Sequence, residues 1–214
     1  MESAVDLHGY FRSGAAYRVR IALNLKGLAV RHVSHHLRKG EQRDPAFLAL
    51  NPQGMVPALA TDDGDVLTQS LAIIEWLEEM HPNPPLLPGS PVERAQIRAF
   101  ALAIVCDIHP IQNLKVLKRL AGMGQGQDEI DGWMRWIIGE GFAACETMAA
   151  RTAGRHVFGD APTLADVCLV PQFANARRCG LDLAPFPRLV AIEAECTALP
   201  AFHAAAPDQQ PDAE

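Results

Sequence analysis

The stretch Asn51-Pro52-Gln53-Gly54-Met55-Val56-Pro57-Ala58-Leu59 decides how the first half of this chain is read. Proline at the entry of a strand is tolerated mainly at an edge or in a tight turn, so the strand expected over residues 55–61 starts from a turn. A cis Val56–Pro57 bond at that turn would present the backbone N–H and C=O of Val56 to a ligand, and a peptide-like molecule could pair there as an added strand. For the dipeptide alone an ordinary edge-strand proline is the better account. Its place immediately before a hairpin favours the ligand-facing turn.

Working outward, residues 5–11 alternate as a strand, and Val19, Ala22, Leu23 and Lys26 recur at helical spacing up to Gly27. A second short strand fits residues 30–35. Asp62-Asp63-Gly64 turns the chain into a hairpin partner at Val66–Leu67, and Ser70 opens a helix through Met80. The order β-α-β then β-β-α is the thioredoxin-like plan, with the first two strands parallel because a helix joins them. Residues 81–91 hold five prolines and read as a linker. Beyond it only helical patterns are found, at 92–120, 127–153, 163–178 and 187–198, and the polar tail 207–214 reads as disordered. The expectation is an α/β plus all-α chain: a thioredoxin-like domain over residues 1–83 and an all-helical domain over 91–214.

Charge and cysteine usage exclude several classes. Nineteen Lys and Arg against 25 Asp and Glu give a formal net charge of −6, without the broad basic field that nucleic acids or anionic membranes require. The five cysteines are odd in number, widely spaced and form no C-x-x-C pair, which argues against a disulfide framework or a zinc site. No metal is expected. The opening residues, Glu2 and Asp6 among them, show no basic-then-apolar export pattern, and no apolar run approaches the ~18 residues of a membrane span. Cytoplasmic residence follows as an expectation.

Two helix starts carry the first candidates. Ser70 reads as an N-cap, and Ile73 stands where a capping-box Glu or Gln would reach back, so the exposed amides can take a carboxylate at the positive end of the helix dipole. Arg12-Ser13-Gly14-Ala15-Ala16 marks the other start, directly after the first strand. Such a terminus lowers a thiol pKa, and the Ser13 hydroxyl could donate to a sulfur held there. Plain capping accounts for Ser13 and Ser70 as well. In the helical half, Thr163 and Asp166 form a capping-box pattern whose meaning is folding. His109 and Asn113 are spaced to share one helix face, with Pro110 kinking the helix between them. Arg12, Lys115, Arg177 and Arg178 are the basic candidates in an otherwise acidic chain. Arg177 and Arg178 end a helix, so one serves as a terminal charge while the other can face inward.

The stretch Tyr10 to Leu23, with Arg18-Val19-Arg20-Ile21-Ala22-Leu23 at its end, resembles the zeta-class glutathione transferase signature. Residues 51–59, Gln69 to Glu75 and Gln112 to Lys118 resemble the same family in register. The resemblance implies that Ser13, Gly14 and Ala15 surround the glutathione sulfur, that Gln42, Val56 and Pro57 hold the peptide backbone, and that Gln69 and Ser70 hold the γ-glutamyl end. It implies further glutathione contacts from His109, Asn113 and Lys115 in the helical domain, with Tyr10 as an alternative sulfur donor. The chain departs from the signature at Ala15, where zeta enzymes carry Cys, and at Gly14 and Ala16, where they carry Ser. Sulfur activation then rests on Ser13, the helix start and Arg12. The implied activity is glutathione-dependent cis-trans isomerisation of maleylacetoacetate, with maleylpyruvate isomerisation or general conjugation of electrophiles as alternatives. Arg12 and Arg177 are the expected holders of the dicarboxylate substrate, since Arg suits bidentate carboxylate recognition. A symmetric homodimer is implied as well.

Overall fold

The structure is a computed structural model that describes residues 5–214; Glu2, read above for its charge, lies outside them. The chain divides into two compact units, residues 1–85 with 199–214, and residues 86–198.

The first unit is built on a four-stranded sheet. Strand β1 (Asp6–Gly9) pairs in parallel with β2 (Arg31–Ser34) and antiparallel with β3 (Ala58–Ala60), and β3 pairs antiparallel with β4 (Val66–Thr68). The order is β2-β1-β3-β4. Helix α1 (Gly14–Leu25) joins β1 to β2, α2 (Pro45–Leu50) follows β2, and α3 (Ser70–Met80) follows β4. The thioredoxin-like order expected from the sequence is therefore present. Leu7, Val19, Ile21, Leu59, Ile73, Ile74 and Leu77 fill the core at 2% exposure or less, so the apolar faces of both helices and the centre of the sheet are fully withdrawn from water. Lys26, at the end of α1, is buried and donates at 2.6 Å both to Glu78 on α3 and to the Pro84 carbonyl. That satisfied ammonium ties the helix pair to the start of the proline-rich segment.

Three expectations are corrected in this unit. Ser70 is the first helical residue and Gln69 is the cap; Gln69 has φ 69 and makes no side-chain capping bond. The tail is ordered, because its polar side chains find partners. Asp212 accepts from the Phe11 amide at 3.1 Å and the Ser34 hydroxyl at 2.5 Å, while the buried Gln210 donates to the carbonyls of Ala204 and Ala206. Leu199–Glu214, expected to close the helical domain, belongs instead to the sheet-bearing unit, where Arg20 of α1 donates to the Ala205 carbonyl at 2.9 Å.

The second unit is helical: α4 (Pro91–Leu102), α5 (Leu114–Gly122), α6 (Gln127–Ala149), α7 (Leu164–Arg178) and α8 (Pro187–Thr197). A short α9 (Pro200–Ala205) belongs to the first unit. The single helix expected over 92–120 is interrupted. After α4 the backbone widens into a π-helical stretch, Ala103–Ile108, and the chain leaves helical form until Asn113. Pro110 has no amide to return to Cys106, so the ladder stops there. Asn113 restarts it as the N-cap of α5, its Oδ1 accepting from the amides of Lys115 and Val116 at 3.0 and 3.3 Å. His109 and Asn113 consequently do not share a helix face.

Helix α7 is the buried centre of this unit. Its Thr163–Asp166 capping box is present: Asp166 accepts from the Thr163 amide at 2.8 Å and hydroxyl at 2.9 Å. The same carboxylate accepts from the Val157 amide at 2.9 Å, and beside it His156 Nδ1 lies 3.3 Å from Cys196 Sγ. Burial and the neighbouring carboxylate push the Cys196 thiol far up. It stays protonated.

Candidate active site

The strand register brings the candidate residues of the first unit to one level. Ala58 lies opposite His8 and Thr68, so the chain leaving β1 at Tyr10, the chain entering β3 at Val56–Pro57 and the chain leaving β4 at Gln69 all lie at the same end of the sheet. Because β2 runs parallel to β1, with Ser34 opposite Gly9, the segment leading to Gln42 departs from that end too. Four separate pieces of sequence thus converge.

Ser13 caps α1 with extended backbone (φ −71, ψ 114), its oxygen accepting from the Ala16 amide at 3.2 Å. An oxygen that accepts leaves its own proton available to donate, which is what a neighbouring thiolate needs. No acidic residue occupies the first turn of α1 or of α3. Arg12, Ser13 and Ala15 are half-buried, and Gly14 is buried.

Val56 and Pro57 are buried, and their peptide bond is cis. Val56 belongs to a cluster with Tyr10, Phe11, Phe47 and Ala58. Gly54, with φ +59, sits where a Cβ would come within 3.0 Å of the Gln42 carbonyl, so only glycine lets the turn before Val56 close against that segment. Gln42 itself is buried, and its Oε1 has no hydrogen-bond partner among the described residues. An orphaned buried acceptor at the convergent end suits an incoming N–H donor.

Gln69 donates to Gln53 at 2.9 Å, while Ser70 is buried and accepts from Arg18 of α1 at 3.2 Å. The positive φ of Gln69 is a strained conformation for a residue with a side chain, of the kind concentrated at ligand clamps. Nothing in the sequence announces it. Tyr10, the alternative sulfur donor, is buried; its hydroxyl has no hydrogen-bond partner among the described residues, and desolvation raises its pKa.

In the helical unit, His109 and Asn113 are half-buried on the segment between the π-helical stretch and α5, and Lys115 is exposed. Trp133 of α6 donates to the Ile111 carbonyl at 3.0 Å and pins that segment. The expected role of Arg177 meets a competing partner. Both of its Nη atoms pair with Glu193, one at 2.6 Å, and its guanidinium lies 5.3 Å from the Phe173 ring. That pairing holds the Arg177 pKa above its ordinary value. A fork already filled by a carboxylate is poorly suited to receive a second one. Its neighbour Arg178 points to a different group, the Asn175 side-chain oxygen, at 2.6 Å.

Comparison with known proteins gives the family. Residues 12–80 match the family described as Glutathione S-transferase, N-terminal domain. The chain is 50% identical to the maleylacetoacetate isomerase of Rhizobium meliloti (strain 1021), over 98% of this chain and 99% of that protein. It is also similar to the holo structure of maleyl pyruvate isomerase, a bacterial glutathione S-transferase in zeta class, with a TM-score of 0.95 and 48% identity over 98% of this chain and 100% of that one. A maleylacetoacetate isomerase from Methylobacterium extorquens AM1, solved with bound malonate and glutathione, superposes with a TM-score of 0.94 at 42% identity, covering 98% of this chain and 99% of that one. The chain belongs to the zeta class of the glutathione transferases.

Proposed function

We propose that this protein is a glutathione-dependent cis-trans isomerase of a maleyl keto acid, maleylacetoacetate first and maleylpyruvate as the second candidate. The observation that carries the reading is the convergence of two helix starts without carboxylates, the Val56–Pro57 strand entry and the orphaned Gln42 acceptor at one end of the sheet. A tripeptide thiol with a free α-carboxylate fits those groups. Relatives named for both isomerisations, one holding a dicarboxylate beside glutathione, support the substrate class.

When bound, glutathione supplies a thiolate that adds reversibly to the cis double bond, so that the carbons it joined can rotate before it leaves. Ser13 donates its hydroxyl proton toward the sulfur, and the α1 start stabilises the charge. With Ala15 in the position of the family cysteine, these two groups and Arg12 carry the activation. Gln42 and the Val56 backbone hold the peptide portion. Ser70 and the α3 amides take the γ-glutamyl carboxylate. His109, Asn113 and Lys115 are assigned to glutathione from the helical unit. The substrate carboxylates are assigned to Arg12 and to one of Arg177 and Arg178, of which Arg177 is already paired with Glu193. Oriented donors then stabilise the negative charge that develops on the substrate carbonyl oxygen.

The chain is proposed to work as a symmetric homodimer in the cytoplasm. Exposed Val92, Leu102 and Trp136 on the helical unit support the first point, and five free cysteines support the second. Among the described residues no helix is long and apolar enough to cross a membrane. Light scattering at micromolar concentration is expected to report a dimer, and monomer alone would remove that assignment. Turnover of both keto acids, measured with and without glutathione, tests the activity itself. Isomerisation that requires glutathione and leaves it unconsumed is expected; stoichiometric conjugation would identify a general transferase instead.

A further inference from the structure

Only Tyr10, Phe11 and Arg12 separate the end of β1 from the Ser13 cap, and the turn they form is closed by the Ser13 amide donating to the Tyr10 carbonyl at 3.0 Å. That turn aims the Ser13 hydroxyl. Its backbone is held from outside by two charged groups. From α1, the buried Arg20 donates through Nη2 to the Phe11 carbonyl at 3.1 Å and through Nη1 to the Tyr10 carbonyl at 3.5 Å. From the tail, Asp212 Oδ2 accepts from the Phe11 amide at 3.1 Å. A guanidinium and a carboxylate thus hold the two polar ends of one residue, two positions before Ser13.

The tail is anchored on either side of that contact. Gln210 Nε2 donates to the carbonyls of Ala204 and Ala206 at 2.9 Å each, and the same Asp212 oxygen accepts from Ser34 at the end of β2 at 2.5 Å. Asp212 therefore ties together the ends of the two parallel strands from which the candidate site departs. Its charge works against the chemistry. Burial raises the Tyr10 hydroxyl, and the carboxylates of Glu214 and Asp212 raise it further against the opposing Arg38 and Arg12, so the field of the tail reaches this turn. A negative charge there disfavours a thiolate. What Asp212 contributes is position, as a strong acceptor for two donors at once. We propose that Asp212 is a positioning residue for the open start of α1, holding the Phe11 peptide so that the Ser13 hydroxyl meets the glutathione sulfur. This rests on the reading of Ser13 as the thiol-activating donor. Released from Asp212, the turn gains orientations in which that proton misses the sulfur.

The test follows the thiolate absorbance of glutathione bound to the full-length protein, and the pH profile of kcat/KM for maleylpyruvate at saturating glutathione. Asp212→Ala is expected to raise the bound thiol pKa by roughly 0.5 to 1 unit and to move the acid limb of the profile upward by the same amount. The KM for glutathione should change less than about twofold. Asp212→Glu keeps the charge and displaces the acceptor by the length of a methylene, so the thiol pKa should rise again, and this variant carries the test where Asp212→Ala does not fold. Asp212→Asn keeps an oxygen for the Phe11 amide without the charge, and its bound thiol should titrate at or below the wild-type value. Added to Ser13→Ala, Asp212→Ala should bring no further rise, because it acts through that hydroxyl. An unaltered thiol in both Asp212→Ala and Asp212→Glu would overturn the inference and leave the tail a purely structural strap. So would a thiol that follows charge alone, lowered in Asp212→Ala and Asp212→Asn alike, or a further rise in the double variant. An ordinary thiol pKa in the wild-type complex would instead remove the reading of Ser13 on which the inference rests.

Discussion

Two helices of the helical unit and two of the sheet-bearing unit begin in opposite ways. In the helical unit, α4 and α7 are each closed by a capping box: Glu93 reaches back to Ser90 at 2.8 Å, and Asp166 to Thr163 at the same distance. In the sheet-bearing unit, α1 is capped by a serine hydroxyl and α3 by no side chain at all, with no acidic residue in either first turn. The same partial positive charge is present in all four places. Where it is neutralised from within it adds stability, and where it is left open it can bind an anion. The difference separates helix starts that hold the fold from helix starts that serve a ligand.

The largest expected effect falls on a closed start. Asp166→Ala strips the buried amides of Val157 and Thr163 of their acceptor, and each orphaned donor costs roughly 1 to 3 kcal/mol. A loss of about 3 kcal/mol or more in denaturant unfolding is expected. A cost under about 1 kcal/mol would mean that water replaces the carboxylate and that the box is not structural. At the open start of α1, Ser13→Ala should lower glutathione-dependent turnover at neutral pH by about thirtyfold, the value of one hydrogen bond to a charged sulfur. Its effect on stability should be limited to the loss of one cap, about 1 kcal/mol. At α3, Ser70→Ala should weaken glutathione about tenfold in a calorimetric titration, with smaller change in kcat. Unaltered affinity would leave Ser70 with only its bond to Arg18.

The smallest effect belongs to the exposed box of α4. Hydrogen bonds from Ser90 hold the Glu93 carboxyl below its ordinary range. A depressed carboxyl contributes stability above its unfolded pKa and loses it as pH falls through the folded one. Glu93→Gln should therefore lower Tm by about 2 °C at neutral pH, with the difference vanishing in acid, and should not alter turnover. A difference that persists in acid would mean that the charge of the carboxylate is not what stabilises the helix start.

Much of the fold was legible because its signals are local. Turn residues at 62–64, the Gly27 stop and the Thr163–Asp166 pattern all act within a few positions, and the elements formed where they point. The failures share the opposite property. Apolar periodicity runs through 92–120 without showing that Pro110 and Asn113 end one helix and start another. The tail reads as polar and proline-containing, yet Asp212 bonds to Phe11, 201 residues away. Arg177 and Arg178 are adjacent in sequence, and only the return of α8 decides which of them Glu193 occupies. In the candidate site, the strained Gln69 and the orphaned Gln42 acceptor depend on packing that no spacing reveals.

The central claim is that an open helix start and the Ser13 hydroxyl together activate a thiol. Its most direct test is an ultraviolet titration of thiolate in glutathione bound to the wild-type protein and to Ser13→Ala. The account predicts a bound thiol pKa about 2 units below the ~8.5 of an ordinary cysteine thiol, shifting back toward that value by at least ~1 unit when Ser13 is replaced. A bound thiol that titrates at its ordinary value in the wild type, or one equally depressed in both proteins, would contradict it.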